Sequence, residues 1–200
     1  QSQILARAGI ELHRSTLADW VGTAAFHLGP VVDRLTEHLK TSSKLFMDET
    51  RAPVLDPGSR KTKTGYFWAL ARDDRPWGGG ALPGVAFTYA PGRGGIHAER
   101  ILQGFSGILQ VDGYAGYNRL IAPERVGPDI RLAYCWAHAR RKLVDITRNG
   151  SAPIAEDGVK RIGELYRIEA ELRGHDLTAR LAGRQERSAR VVADMQAWLA

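Results

Sequence analysis

Two acids stand where phosphoryl-transfer chemistry would need them. Asp48 closes the apolar run Lys44-Leu45-Phe46-Met47, and Asp112 closes Gly107-Ile108-Leu109-Gln110-Val111. Either acid alone reads as a carboxylate capping a turn at a strand end. As a pair on neighbouring strands they repel, unless something cationic sits between them. Two Mg²⁺ ions about 3.5–4 Å apart meet that need and drive in-line displacement at phosphorus. Oxygen ligands suit Mg²⁺, with Mn²⁺ as a substitute. Cys135 and His138 form a Cys-x-x-His pair. Zinc takes four ligands, and no second pair stands nearby, so a structural or nucleic-acid-proximal role fits better. Arg140, Arg141 and Lys142 follow the fifth apolar run. They read either as a solvated face or as phosphate contacts beside the acids, arginine being suited to bidentate grip. Lys61, Lys63 and Arg93 fall in loop-like stretches and could grip a nucleic-acid backbone. Gly78-Gly79-Gly80 lacks the spacing and the lysine of a phosphate-binding loop and reads as a turn.

Those residues need elements to position them. Residues 1–22 read as two short helices about Gly9-Ile10, Ser15 capping the second, in a loose helix-turn-helix-like pattern. DNA contact and plain packing both remain open for this segment. Leu28, Val31, Val32, Leu35 and Leu39 recur at helical spacing, with Pro30 suited to the first turn of a further helix. From residue 43 the period changes. Strands are expected at 44–48, 65–71, 85–89, 107–112 and 130–136, with helices at 97–105, 114–121 and 138–146. Pro53, Pro57 and Gly58 mark a loop, and Arg60-Lys61-Thr62-Lys63 a basic tip. Residues 155–200 read as helical, with Ile162, Leu165, Tyr166 and Glu169 on one face, and Trp68 and Trp136 read as core. Strand, strand, strand, helix, strand, helix, strand, helix is the element order of a ribonuclease-H-like α/β fold: an antiparallel meander, then strands entering through helical crossovers. In that fold the strands of Asp48 and Asp112 are neighbours. Three segments follow: a helical one at 1–40, a partial ribonuclease-H-like core at 41–150 and a helical insertion at 151–200.

Composition narrows the class. The chain has 200 residues, 44% hydrophobic and 25% charged, enough to bury a core. A single cysteine excludes an internal disulfide framework. No apolar run reaches the ~18–20 residues of a membrane span. The net charge is +6, and all of the excess lies in residues 41–150, with 16 basic and 10 acidic side chains. Attraction for a phosphate backbone is expected to centre there. Gln1 in place of Met, and an unfinished helix at Ala200, suggest a piece of a longer chain.

Several blocks are similar to one family. Gly107-Ile-Leu-Gln-Val-Asp112-Gly-Tyr-Ala-Gly-Tyr-Asn118 resembles the second catalytic block of the insertion-sequence-66 family of bacterial transposases. Tyr134-Cys-Trp-Ala-His-Ala-Arg-Arg-Lys142 resembles the block after it, and Asp48-Glu-Thr50 the first. Ser15-Thr-Leu-Ala-Asp-Trp-Val21 and Gly163-Glu-Leu-Tyr-Arg-Ile-Glu169 are also similar to the family, so the likeness spans the chain. It implies a DDE transposase, in which two Asp and one Glu hold divalent metal, cleave the element's ends and join the 3′ hydroxyl to target DNA. Asp48 and Asp112 are then the first two acids. The third belongs to an Asn-Asn-x-x-Glu-like block beyond a helical insertion; no such block occurs here, and Glu164, Glu169 and Glu171 do not replace it. The resemblance also implies a homo-oligomer when full length and a bacterial, cytoplasmic, nucleoid-associated protein without a membrane. Two alternatives stay open: an inactive remnant that only binds DNA or dimerises, and another nuclease of the same fold.

Overall fold

The computed structural model describes residues 1–56, 58–59, 61–148 and 150–200; Pro57 and Arg60, expected in a loop and a basic tip, lie outside them. The chain opens with α1 (Ser2–Arg7), turns at Gly9 with a φ of 75°, and enters α2 (Arg14–Lys40). Two expectations change here. His13, not Ser15, caps α2, its ring nitrogen accepting from the Ser15 amide at 3.4 Å. Nor does a second helix open at Pro30, which sits inside one 27-residue helix. Proline forfeits a single amide bond there, and the helix runs on through Gly29 and Pro30.

The sheet has the order β3-β2-β1-β4-β5. Strands β1 (Lys44–Asp56), β2 (Lys61–Arg72) and β3 (Gly84–Ala90) form an antiparallel meander. Strands β4 (Gly107–Val111) and β5 (Ile130–Tyr134) join in parallel, β4 beside β1. The helix α3 (Gly95–Ile101) crosses from β3 to β4. A 3₁₀ turn at Ala115–Ile121 leads towards β5, where an α-helix was expected. β1 is longer than expected. It runs through Pro53, paired with Thr64, because β4 accompanies it only from Lys44 to Phe46. Beyond Phe46 one edge of β1 is open, and an open edge tolerates a residue without an amide donor.

Alternation along the strands makes two unlike faces. One carries Leu45, Met47, Trp68, Leu70, Ala86, Leu109 and Val111, all buried against α3, the 3₁₀ turn and the end of α2. Leu39 and Leu35 supply that end. Leu28, Val31 and Val32 are exposed, with Trp20 and Val21, so the expected stripe packs only in its last turns. Among the described residues, the close contacts of α2 with the sheet fall on β2 and β3. Arg72, 6% exposed, fastens this junction by donating to the Leu82 carbonyl at 2.8 and 3.1 Å and to Ser42 Oγ at 3.1 Å, with His38 Nε2 at 3.2 Å.

Across a cleft from the opposite face stands α4 (Trp136–Thr147), which begins directly after β5. Trp136 opens that helix and is 39% exposed, so it is not core. Trp68, at 1%, is. Helices α5 (Pro153–Glu171), α6 (Leu177–Gly183) and α7 (Ala189–Leu199) follow, α6 and α7 being joined by one π-helical turn. Ile162, Leu165 and Met195 form a second small core with Leu143 of α4. Of the expected apolar face of α5, Tyr166 is exposed, and Glu169 pairs with Arg184 at 2.6 and 2.7 Å. This helical group touches the sheet region through Leu177, which packs on Gly78, and through Arg180, which donates to the Pro76 carbonyl. Burial, then the nearby Arg184, lowers the pKa of Lys44, with Asp74 opposing them. The Lys44 ammonium lies over the rings of Phe46 and Trp77 at 4.8 and 4.3 Å.

Candidate functional site: a two-carboxylate cleft

Asp48 and Asp112 are brought to one place by register. In the parallel pair, Lys44 lies opposite Ile108 and Phe46 opposite Gln110. Two residues further on, the same count sets Asp48 beside Asp112, on the face shared with Phe46 and Gln110. There β4 has ended at Val111, whereas β1 continues along β2, with Asp48 opposite Ala69. Asp48 is therefore not the end of its strand, as expected, but the residue where its parallel neighbour departs. Gly107 permits the close start of this pairing: its φ is 142°, and a Cβ there would stand 2.4 Å from the Ser43 carbonyl oxygen.

Both acids line one cleft of about 220 Å³ with Phe46, Ala69, Gln110, Cys135 and His138. Each is held by a local backbone donor. The Glu49 amide donates to Asp48 Oδ1 at 2.9 Å, and the Tyr114 amide to Asp112 Oδ1 at 2.9 Å. Asp48 is exposed, and the Asp112 side chain retains 21% of its surface. The wall opposite comes from the β5–α4 junction, where the Cys135 amide donates to the Val111 carbonyl at 3.0 Å and sets His138 one turn into α4. His138 Nδ1 is buried without a partner among the described residues.

The expected basic residues divide. Lys142, one turn after His138, brings its Nζ near the Asp112–Tyr114 turn; a Cβ on Gly113 would stand 3.7 Å from it. Arg141 is exposed on the same helix, and Arg140 Nε is buried without a partner among the described residues. Lys61 and Lys63 are elsewhere. They begin β2, opposite Asp56 and Val54, with Lys63 Nζ 3.8 Å from Asp56. That hairpin end lies roughly 25 Å along the strand from Asp48, at about 3.3 Å per residue. Arg93 is at the site: it lies in the loop between β3 and α3, as expected, with 42% of its side chain exposed, but that side chain is engaged rather than free. Its Nε donates to Glu49 Oε1 at 2.5 Å, its guanidinium lies 3.8 Å over the Tyr114 ring, and its Nη2 is 4.0 Å from Asp112 Oδ2. Burial pulls its pKa down, but the bond to Glu49 and the charge on it outweigh that, so the net shift is upward.

Glu49 was not singled out in the sequence. Its side chain has no exposed surface, and Tyr117 donates to its other oxygen at 2.6 Å. Burial, then Glu49, then the more distant Asp48 and Asp112, push the Tyr117 phenol well above its ordinary range. The signal for Glu49 was the alternation itself: with Leu45 and Met47 inward, residue 49 must also point into the core, where a carboxylate needs partners.

Two oxygen donors on one open cleft suit part of the shell of a hard divalent cation, with water or phosphate oxygens completing it. Among the described residues no three His, Cys, Asp or Glu side chains gather closely enough to hold an ion by themselves. No helix among the described residues is long and apolar enough to cross a membrane.

Comparison with known proteins agrees with the blocks read in the sequence. The profile described as "Transposase IS66 family" matches residues 1–200. Three similar proteins come from Sinorhizobium fredii. "Uncharacterized protein y4qI" is 44% identical over 198 residues, 98% of this chain and 37% of its own length. "Uncharacterized protein y4jD" is 43% identical over 201 residues, 100% of this chain and 39% of its own. "Uncharacterized protein y4hP" is 39% identical, covering 96% of this chain and 36% of its own. The chain thus spans well under half the length of the relatives it matches. It belongs to the IS66 family of transposases.

Proposed function

We propose that this region carries the first two acids, Asp48 and Asp112, of a DDE-type centre that cuts and joins DNA on a ribonuclease-H-like sheet. One observation carries the reading: the parallel register of β1 and β4 sets both carboxylates on one face, in one cleft, where the two strands part. The sheet order 3-2-1-4-5 with one antiparallel meander supports the fold assignment. In the reaction proposed, a water oxygen bonds to the scissile phosphorus while the bond to the 3′ oxygen breaks, leaving a 3′ hydroxyl. That hydroxyl then attacks a target phosphodiester, and the displaced oxygen leaves from the target strand. A pair of Mg²⁺ ions, for which Mn²⁺ substitutes, supplies charge stabilisation for the attacking and leaving oxygens when bound. Asp48 and Asp112 hold them and act as ligands rather than bases. Lys142, Arg140 and Arg141 follow the cleft along α4 and take phosphates of the DNA. The third acid we assign to the part of the family protein outside this match. The working assembly would be a homo-oligomer that bridges two element ends, acting on the bacterial nucleoid.

The test uses the full-length protein with an element-end DNA and Mg²⁺. Asp112→Asn should lower cleavage by about two to three orders of magnitude, the range seen when one charge-stabilising group is lost. DNA affinity, read by fluorescence anisotropy, should stay within about threefold, because carboxylates do not bind phosphate. Cleavage at the unsubstituted rate would overturn the assignment. A second reading, an inactive remnant that only binds DNA or dimerises, draws on the absence of a third acid at the cleft among the described residues. It predicts salt-dependent DNA binding by this chain and no metal-dependent nicking.

A further inference from the structure

We propose that Glu49 is a positioning residue: its buried carboxylate anchors Arg93 and Tyr117 and, through them, fixes the turn that aims Asp112 at Asp48. The proposal rests on the reading of Asp48 and Asp112 given above. Glu49 follows Asp48 directly but points to the opposite face of β1, and its side chain is inaccessible to solvent. Each of its oxygens accepts one bond, from Arg93 Nε at 2.5 Å and from the Tyr117 hydroxyl at 2.6 Å. From these partners a closed circuit runs round the turn after β4. The Arg93 guanidinium lies 3.8 Å over the Tyr114 ring, and the Tyr114 hydroxyl donates back to the Arg93 carbonyl at 2.8 Å. Tyr114 and Tyr117 meet edge to face at 5.9 Å. The Tyr114 amide holds Asp112 Oδ1, and Arg93 Nη2 stands 4.0 Å from Asp112 Oδ2.

Stability alone does not call for this circuit. An apolar side chain at position 49, continuing Leu45 and Met47, would fill the same core, and replacing a buried ion pair by packed apolar groups is often neutral or stabilising. A carboxylate here instead fixes direction: Arg93 is held from one side and stacked from the other, so its free edge meets Asp112. Partners of this kind, behind a ligand, commonly change metal affinity by about 10–100-fold when removed.

The test measures Mn²⁺ binding by loss of the free-ion electron paramagnetic resonance signal, and Mn²⁺-dependent cleavage, in the full-length protein. Glu49→Gln keeps shape and volume and can still bond to both partners, but loses the charge. Its half-saturating Mn²⁺ should rise about tenfold in both measurements. Arg93→Lys keeps the positive charge and loses the stacked, directed contact; it should show the same shift, and the double variant should be no worse than the poorer single one, as for residues acting as one unit. Should Glu49→Gln fail to fold, Arg93→Lys decides by itself, its side chain being 42% exposed and tolerant of change. Unshifted Mn²⁺ binding in both single variants, with Asp112→Asn losing it, overturns the positioning role alone. Unshifted binding in Asp112→Asn overturns the functional reading and this proposal with it.

Discussion

Successive side chains on a strand point to opposite faces, so the neighbours Asp48 and Glu49 live in different media. Asp48 faces the open cleft, while Glu49 faces the core and has to find donors there. Tyr117 is one of them, and its phenol sits well above the ordinary value of 10.0, chiefly through burial and then through Glu49. The sign of the consequence is set by proton binding. Above pH 10 the unfolded chain releases this proton and the folded chain retains it, so stability that is complete below pH 10 is lost as pH rises further. One such group contributes about 1.4 kcal/mol per pH unit there. Tyr117→Phe should flatten the fall in urea-unfolding stability above pH 10 by that amount. At neutral pH it should cost about 1–3 kcal/mol, because a buried carboxylate oxygen loses its donor. Equal slopes in the two proteins would contradict the account.

At the scale of elements, the site is made by two strands that run together and then separate. The register Phe46 to Gln110 is what turns a sequence separation into a shared cleft. That much was legible, because both acids end recognisable apolar runs and the element order limits which strands can be neighbours. The continuation of β1 through Pro53 was not, since it depends on an edge left open by β4, and strand edges are not written in the local sequence. Nor was the single long α2: Pro30 is a breaker by its own chemistry, and the surrounding residues override it. The engagement of Arg93 at the site was hidden because its partner, Glu49, is 44 residues away. The same holds for Arg72, which ties the end of β2 to His38 of α2, to Ser42 just after that helix and to the Leu82 carbonyl. Arg72→Met fills the volume but leaves these acceptors unpaired in a buried place. It should lower unfolding stability by about 2–3 kcal/mol. Hydrogen exchange should show the loss first in the last turns of α2, whose contacts with the sheet this side chain secures. A uniform loss with α2 still protected would refute that placement.

For the molecule as a whole, the net charge of +6 matters by where it lies, not by its size. Arg140, Arg141 and Lys142 follow the cleft on α4, whereas Lys61 and Lys63 lie at a distant hairpin end, where Lys63 already faces Asp56. If DNA enters across the two carboxylates, only the first group neutralises phosphate. Each phosphate contact releases counterions, and on duplex DNA it steepens the dependence of log affinity on log salt by about 0.9. In the full-length family protein, replacing Arg140, Arg141 and Lys142 together by Ala should therefore reduce that slope by about 2–3. Replacing Lys61 and Lys63 should change it by less than about 1. The contrast matters more than either value, because a general loss of positive charge would lower both slopes alike. Equal reductions from the two sets would mean that DNA follows the whole basic surface, and the path across the cleft would have to be given up.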